Sequence, residues 1–437
     1  MKKKLVAVLM TAAMAATLAA CGTEPETENT PADTNVTVAP DGETTDVVVG
    51  QGSDDAIANL IAATEGTVDL TLWCSETEAY QTVMAQLVDE FKAEYSDVDF
   101  NITIGSQSES TCKDEVLKDV EAAADVYVFA DDQLNGLVEA GALQAVTTTY
   151  TYNPIEADGA GAVNAASKDG ILYAYPLTAT NGYFLYYDSN LLSDEDVSSW
   201  ENLVAACERE GKKVAMEFSG GWYLFSFFYG AGLECNNLAN DAVNVCNWNN
   251  ETGLAVAKSV QDICSSDAVI NLGDADTCTQ VTDGNVIAAV NGTWNTGVFE
   301  AAYGDGFAAT KLPTFNVNGQ AVQQGSFAGY KLVGVNSYSD NLGWAMIFAE
   351  FITNEASQLK IGNATQEGPA NLVAAPQIAT PAIAALGAQS NFATLQRVSG
   401  NYWTPAGTLG QALYEGGLDD AGLQKALDDA VDGICAE

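Results

Sequence analysis

Between Val68 and Ala142 the spacing of apolar residues switches repeatedly between two periods, and that rhythm limits the possible folds more than any other feature of the chain. Val68–Cys74 (VDLTLWC) alternates apolar and polar residues as a half-buried strand does. Over Ala79–Tyr95 the apolar Val83, Met84, Leu87, Val88 and Phe91 recur at helical spacing. Val98, Phe100, Ile102 and Ile104 return to alternation, a helix is expected around Glu115–Ala124, and Asp125–Ala130 (DVYVFA) reads as a third, buried strand. Leu134–Ala142 reads as the next helix. Strand and helix in turn build an α/β fold, a parallel sheet covered by helices, and such folds bind ligands at the carboxyl ends of their strands.

The second constraint is the stretch Met216–Gly230, MEFSGGWYLFSFFYG. Its glycine pair is followed by Trp222, Tyr223, Phe225, Phe227, Phe228 and Tyr229, six aromatics in eight residues of a chain that is 9% aromatic overall. Glycine lets a backbone come close to a ligand, and flat rings beside it offer stacking faces. Trp222 and Tyr223 are therefore expected to face a ligand, while Phe225, Phe228 and Tyr229 are expected in the core.

The first residues read as a processing segment. Lys2, Lys3 and Lys4 precede an apolar run, Leu5–Ala20, that is short for a membrane-spanning helix. The run ends Leu18-Ala19-Ala20-Cys21-Gly22, which resembles the lipobox of bacterial lipoproteins. The resemblance implies cleavage before Cys21 and a lipid on its thiol. Residues 22–66 are rich in Thr, Glu, Asp, Pro and Asn, and read as an acidic flexible tether. Within it only Asp55–Thr64 (DAIANLIAAT) has the pattern of a short helix. The remaining ~370 residues are enough for two lobes.

Composition excludes several functions. The chain has 16 basic and 59 acidic residues and no histidine, for a net charge of −43. Nucleic acid is excluded as a partner by charge, and anionic sugars or nucleotides are disfavoured. A solvated acidic surface accounts for the charge; no D-x-D-x-D-G calcium loop is present. Without histidine there is no Ser-His-Asp or Cys-His catalysis and no histidine metal site. No Walker A or G-x-G-x-x-G pattern occurs. With so many acids a pair of carboxylates can always be imagined, and nothing places two across a sugar as a glycosidase needs. An enzyme, a metal site and a cofactor are all unexpected. Eight cysteines follow Cys21, an even number in an exported chain, so disulfides are permitted. The short-range candidates are Cys235 with Cys246 and Cys264 with Cys278, and the connectivity stays open.

Several blocks, in order, resemble the maltose/maltodextrin-binding proteins of ABC importers. WCSETEAY, FKAEYSDVDFNITIG and DVYVFADDQLNGLVEAGAL are similar to the family's N-terminal lobe. Ile171–Leu192 (ILYAYPLTATNGYFLYYDSNLL) resembles its passage from first lobe to second, and Ser199–Leu203 its W-x-x-L helix start. Asn285–Trp294 (NVIAAVNGTW) with Leu312-Pro313, then Gly368-Pro369-Ala370-Asn371 and Tyr402-Trp403, complete the series. The resemblance spans roughly residues 67–435 and implies a two-lobed periplasmic-binding-protein-like fold with discontinuous lobes. Carried over, lobe 1 is 67–178 with 327–373 and lobe 2 is 179–326 with 374–437. The crossings near Thr178–Asn181 and Gln324–Phe327 would be the hinge.

By the same resemblance Trp222, Trp294 and Trp403 fall at the family's aromatic platforms for glucose rings. A pyranose packs its C–H face on an aromatic ring, while its hydroxyls need donors and acceptors in the ring plane. Asp132 falls at a sugar-binding aspartate, with Phe129 where a tryptophan commonly stands. Asn181 falls at or beside a cleft glutamate, next to an extra residue, and Glu78 where the family often has lysine. Gln133 and Gly407 replace arginines. Tyr80 and Tyr183 are second-rank candidates, Asn371 reads as structural, Trp73, Trp200 and Trp344 as core, and Trp248 is unplaced. The implied function is a lipid-anchored, monomeric receptor that captures maltose or maltooligosaccharides by cleft closure and delivers them to ABC permease subunits. Its ligand would be a neutral oligosaccharide, foremost an α-1,4-glucan. A binder of xylo-, manno- or galacto-oligomers, and a surface starch-adhesion protein without a permease, remain open alternatives.

Overall fold

The computed structural model describes residues 47–53, 55–237 and 243–436. The signal segment and Cys21 lie outside the described residues. No helix among the described residues is long and apolar enough to cross a membrane.

Two five-stranded sheets carry the chain. The first runs, edge to edge, Asp99–Ser106, Thr67–Cys74, Val126–Ala130, Lys331–Val335 and Ala174–Thr178. Its first three strands are parallel, and Lys331–Val335 is antiparallel to both of its neighbours. The second runs Val269–Asn271, Lys213–Met216, Val286–Gly292, Tyr183–Asp188 and Phe307–Thr310. It repeats the pattern, with Tyr183–Asp188 as the antiparallel fourth strand. Ala174–Thr178 of the first sheet leads directly to Tyr183–Asp188, the odd strand of the second, and the chain returns to Lys331–Val335, the odd strand of the first, through Ser326–Ala328, a short strand paired with Ala393–Leu395. The chain thus belongs to both sheets by short crossings, the two-lobed architecture that the resemblance implied.

Each sheet has its own core. One unites buried residues from Val47 to Leu177 with Tyr330 to Ala370. In it Phe91 sits 5.1 Å from Phe100, 5.0 Å from Phe348 and 6.5 Å from Trp344 in tilted or edge-on contacts, each worth ~0.5–1.5 kcal/mol beyond the area buried. The second sheet is covered by residues drawn from 183–328 and 382–434. Local signals set the elements there: Ser199 accepts the N–H of Asn202 to cap the helix Trp200–Glu210, and Gly211 ends it at φ 63°.

Two expectations change. The tether expected over 22–66 is structured at its described end: Gly50–Gln51 pairs in parallel with Thr148–Thr149, and the helix Ala56–Ala63 lays Ile57, Leu60 and Ile61 on the first core. Thr64 accepts the Trp344 indole N–H at 2.9 Å. The short helix expected over Asp55–Thr64 is present, and its three large apolar residues are enough to pack it on the first core, where Trp344 is buried. The helix expected around Glu115–Ala124 instead spans Cys112–Val116. Asp119 takes the N–H of Ala122 on both its carbonyl and its side chain, so a turn replaces the helix.

Candidate functional site

A cavity of about 690 Å³ lies between the two sheets. From the first sheet it is lined by residues that follow the carboxyl ends of three parallel strands: Ser75–Thr77, the loop 108–114, and Ala130–Gln133. From the second come Trp222, Tyr223, Asp274, Trp294 and Trp403. Asn181 sits at the crossing, its N–H on the Gly329 carbonyl at 3.2 Å.

Each tryptophan is braced. Trp222, in the first turn of the helix Gly221–Gly230, packs against Tyr183 at 5.5 Å and Phe327 at 5.3 Å. Trp403 opens the helix Trp403–Glu415 and leans edge-on against Tyr402 at 5.0 Å. Trp294 follows the strand Val286–Gly292 and donates its indole N–H to Asp274 Oδ2 at 2.8 Å. Asp274 Oδ1 also accepts from Tyr223 Oη at 3.1 Å and Asn291 Nδ2 at 3.0 Å, so one carboxylate fixes two rings of the site. The two glycines that mark these rings serve packing. A Cβ on Gly221 would stand 3.2 Å from Tyr402 Cε1 and from Ala406 Cβ, and one on Gly292 would overlap the Trp294 ring. The expected approach of a ligand to Gly221 is therefore replaced by the approach of a second helix.

The first-lobe wall is polar. Asp132 is half-buried, and its carboxyl is pushed up to about 7, first by burial and then by neighbouring Asp131, against the pull of Arg397 and Lys113. Asp131 is fully paired, with Arg397 Nη1 at 2.9 Å and the Tyr330 N–H at 2.8 Å. Gln133 lines the cavity and is tied to its own wall. It is buried, accepting the Lys113 N–H at 2.7 Å and donating to the Glu109 carbonyl at 2.5 Å, and so holds the 109–113 loop. Lys331 places its ammonium 2.6 Å from Glu367 and 3.2 Å from Glu109, 5.4 Å above the Tyr80 ring. Burial works against its charge, but the two carboxylates outweigh burial and hold it as an ammonium.

Of the residues expected at a site, the structure brings Trp222, Tyr223, Trp294, Trp403, Asp132 and Asn181 around this one cavity. Glu78, exposed in the first turn of Glu78–Glu94, and buried Tyr80 line an adjoining space of about 510 Å³ that shares Trp294, Ser75 and Thr77 with the first. Two expectations are corrected. Phe129 is fully buried in the middle of its sheet, opposite Leu332 and against Tyr127, and faces no cavity. Tyr183 is fully buried as well; its hydroxyl donates to the Trp222 carbonyl at 2.8 Å, so it positions Trp222 and does not reach the cleft. Trp248 is core, stacked on Phe228 at 4.2 Å. Sequence reading missed Asp274, Glu109 and Lys331. Asp274, just after the helix-starting Gly273, is the one with a local signal.

The comparisons with known proteins agree with this geometry. No curated protein matches the chain by sequence. Among solved structures, one with acarbose is 26% identical with a TM-score of 0.75, covering 85% of this chain and 99% of its own. The maltodextrin binding protein MalE1 from L. casei BL23, solved without ligand, is 24% identical with a TM-score of 0.71, covering 85% and 100%. The Thermus thermophilus maltotriose binding protein, bound with maltotriose, is 20% identical with a TM-score of 0.70, covering 84% and 98%. The family model of the bacterial extracellular solute-binding proteins matches residues 86–388, and with two crossed lobes around one cleft this chain belongs to that family.

Proposed function

We propose that the protein is a lipid-anchored receptor, held outside the cell through Cys21, that captures short neutral α-glucans and hands them to an ABC permease. The observation that carries this reading is three braced tryptophans converging on one cavity whose opposite wall is polar. Rings take the C–H faces of pyranoses, and carboxylates such as Asp132 accept hydrogen bonds from their hydroxyls. The wall holds Glu76, Glu109, Asp114, Asp132 and Asp274 against Lys113 and Lys331, which suits a neutral sugar and repels an anionic one. The relatives solved with acarbose and with maltotriose support the same ligand class. A space of about 690 Å³ suits a short oligomer better than a polymer, which favours capture over starch adhesion. On this reading lobes 67–178 with 327–373 and 179–326 with 374–437 close on the sugar about the two crossings, and the closed monomer docks on the permease.

The test is a tryptophan fluorescence titration with maltotriose, xylotriose and soluble starch, in the native protein and Trp403→Ala. Saturation by maltotriose at micromolar concentration is expected, with no response to xylotriose and a ~10–100-fold weaker response in the variant, from the ~1–3 kcal/mol of a lost stacking ring. Saturation by xylotriose but not maltotriose would overturn the α-glucan assignment, and tighter binding of starch than of maltotriose would overturn capture.

A further inference from the structure

We propose that Cys235 and Cys246 are joined by a disulfide in the exported protein, closing a hairpin that props the aromatic wall of the cleft from behind. The structure holds all eight described cysteines as thiols, and these two are the pair that the backbone sets face to face. Cys235–Asn236 and Val245–Cys246 form a two-stranded antiparallel ladder in which Cys235 lies directly opposite Cys246. The Asn247 N–H donates to the Glu234 carbonyl at 3.1 Å, so the ladder bonds flank the cysteines and do not join them. In such a pair the Cα atoms approach to about 4.5 Å, inside the range of about 4.4–6.8 Å that a disulfide spans. The Cys235 thiol is pushed up first by hydrogen bonding to the Cys246 side chain and then by burial, as fits two neighbouring sulfurs.

No such placement exists for the others. Cys264 and Cys278, the second short-range candidate, lie on separate helices, Glu251–Cys264 and Asp274–Thr282, and no ladder sets them opposite each other. Cys74 lies opposite Ser106 in its ladder, and Cys112 and Cys207 stand on the helices Cys112–Val116 and Trp200–Glu210, so none of the three faces another cysteine across a ladder. Cys435 is the single competitor, since its thiol meets the backbone of Cys246.

The location gives the bond a role. Cys246 leads within two residues to Trp248, which stacks on Phe228 at 4.2 Å and meets Tyr402 edge-on at 5.8 Å. Tyr402 in turn braces Trp403 and donates its hydroxyl to the Gly221 carbonyl at 2.7 Å, beside Trp222. A second tie comes from Asn244, which donates to Ser399 Oγ at 2.9 Å and to the Ile434 carbonyl at 3.1 Å. The hairpin therefore buttresses two of the three cleft tryptophans, and a covalent closure fixes it.

The chemistry balances with a small-molecule or protein disulfide as oxidant, the reagent of an oxidising extracellular space. The half-buried Cys246 sulfur attacks one sulfur of that disulfide and displaces a thiolate. Cys235 then attacks the mixed disulfide at Cys246, releasing the second thiolate. The two cysteine thiols lose two protons and two electrons, and the oxidant leaves as two thiols.

The bond is read on the full chain, exported from its host and alkylated without reductant before tryptic digestion. Cleavage at Lys213 and Lys258 gives one peptide, Val214–Lys258, that contains Cys235 and Cys246 and no other cysteine. The expected result is this peptide unalkylated and lighter by two hydrogens, taking two alkyl groups only after reduction. Full alkylation at both positions without reductant would overturn the proposal. So would linkage of the peptide to Ala426–Glu437, which carries Cys435.

Discussion

Asp132 gives the sharpest test of the polar wall, because its protonation is poised in the range where the protein works. Its carboxyl is raised to about 7, mainly by burial and then by Asp131. With that value roughly one-tenth of the empty protein carries the carboxylate at pH 6 and roughly nine-tenths at pH 8. A sugar hydroxyl donates to the ionised form, so ligand binding favours the carboxylate and expels the proton. Apparent affinity scales with the competent fraction, and it should rise ~10-fold from pH 6 to pH 8. The sign for stability is opposite. A carboxyl raised above its unfolded value of about 3.9 binds more protons when folded, so its contribution falls as pH climbs from about 4 to about 7 and stays low above that. Asp132→Asn, a neutral mimic, should therefore raise thermal stability at pH 8 by ~2–4 kcal/mol and leave it little changed at pH 4. The same variant should lose ligand affinity and its pH slope. Calorimetric titration and thermal melts across this range read both effects. The chain has no histidine to mask the transition. Asp158, a second carboxyl raised into this range, at about 8, is buried against Tyr152 and Gln358 and does not line the cavity. A flat affinity from pH 6 to pH 8, or an Asn variant that keeps the slope, would refute the assignment of Asp132 to the ligand.

Two further outcomes follow from the fold. Lys331→Met leaves Glu109 and Glu367 buried without their shared cation; the loss should be ~3–5 kcal/mol in denaturant unfolding, and the triple variant with Glu109→Gln and Glu367→Gln should recover most of it. A chain starting at Thr67 should unfold ~2–4 kcal/mol more easily than one starting at Val47, because it uncovers Trp344 and loses the packing of Ile57, Leu60 and Ile61; equal midpoints in urea would show that the segment adds nothing.

What could be read from the sequence divides along physical lines. Period and order give the strands and helices of the first lobe because each is a local signal of several residues. The tryptophans come with the family resemblance, and their local setting agrees with it. Trp222, Trp294 and Trp403 each stand where a strand or helix begins or ends, and for Trp222 and Trp294 a neighbouring glycine marks close packing. The resemblance carries Phe129 over from the position where the family commonly has a tryptophan; in this chain that position lies in Val126–Ala130, a strand buried throughout, and its ring packs in the core. Lys331 was silent for a different reason. It heads an apolar strand, KLVGV, and its partners Glu109 and Glu367 come from distant points of the chain, so only the sheet order brings the three together. Asp274 likewise shows its purpose only through Tyr223, Asn291 and Trp294, which the second sheet assembles around it.

The two walls also differ in how firmly they are held, and that difference bears on the order of events in the proposed capture. The second-lobe rings are fixed before any ligand arrives: Trp222 by Tyr183 and Phe327, Trp294 by Asp274, Trp403 by Tyr402. Stacking needs only a face and is tolerant of the sugar's hydroxyl pattern, so this wall can take a first, weakly selective hold on an open cleft. The first-lobe groups sit on short turns after the strands, with Asp132 half-buried in the 3-10 turn Asp131–Gln133 and residues 109–113 tied through Gln133. Their hydrogen bonds depend on direction and form only when closure brings the wall within reach. Selectivity among neutral oligosaccharides must then come from the first lobe, while the second supplies most of the apolar contact. Arg397 ties the two together, since its guanidinium holds Asp131, the neighbour that helps keep Asp132 protonated in the empty cleft. In the proposed closure, a shift of Arg397 would act on Asp132 directly, because Arg397 itself draws that carboxyl down, and this would couple hinge position to the strength of the first lobe's grip.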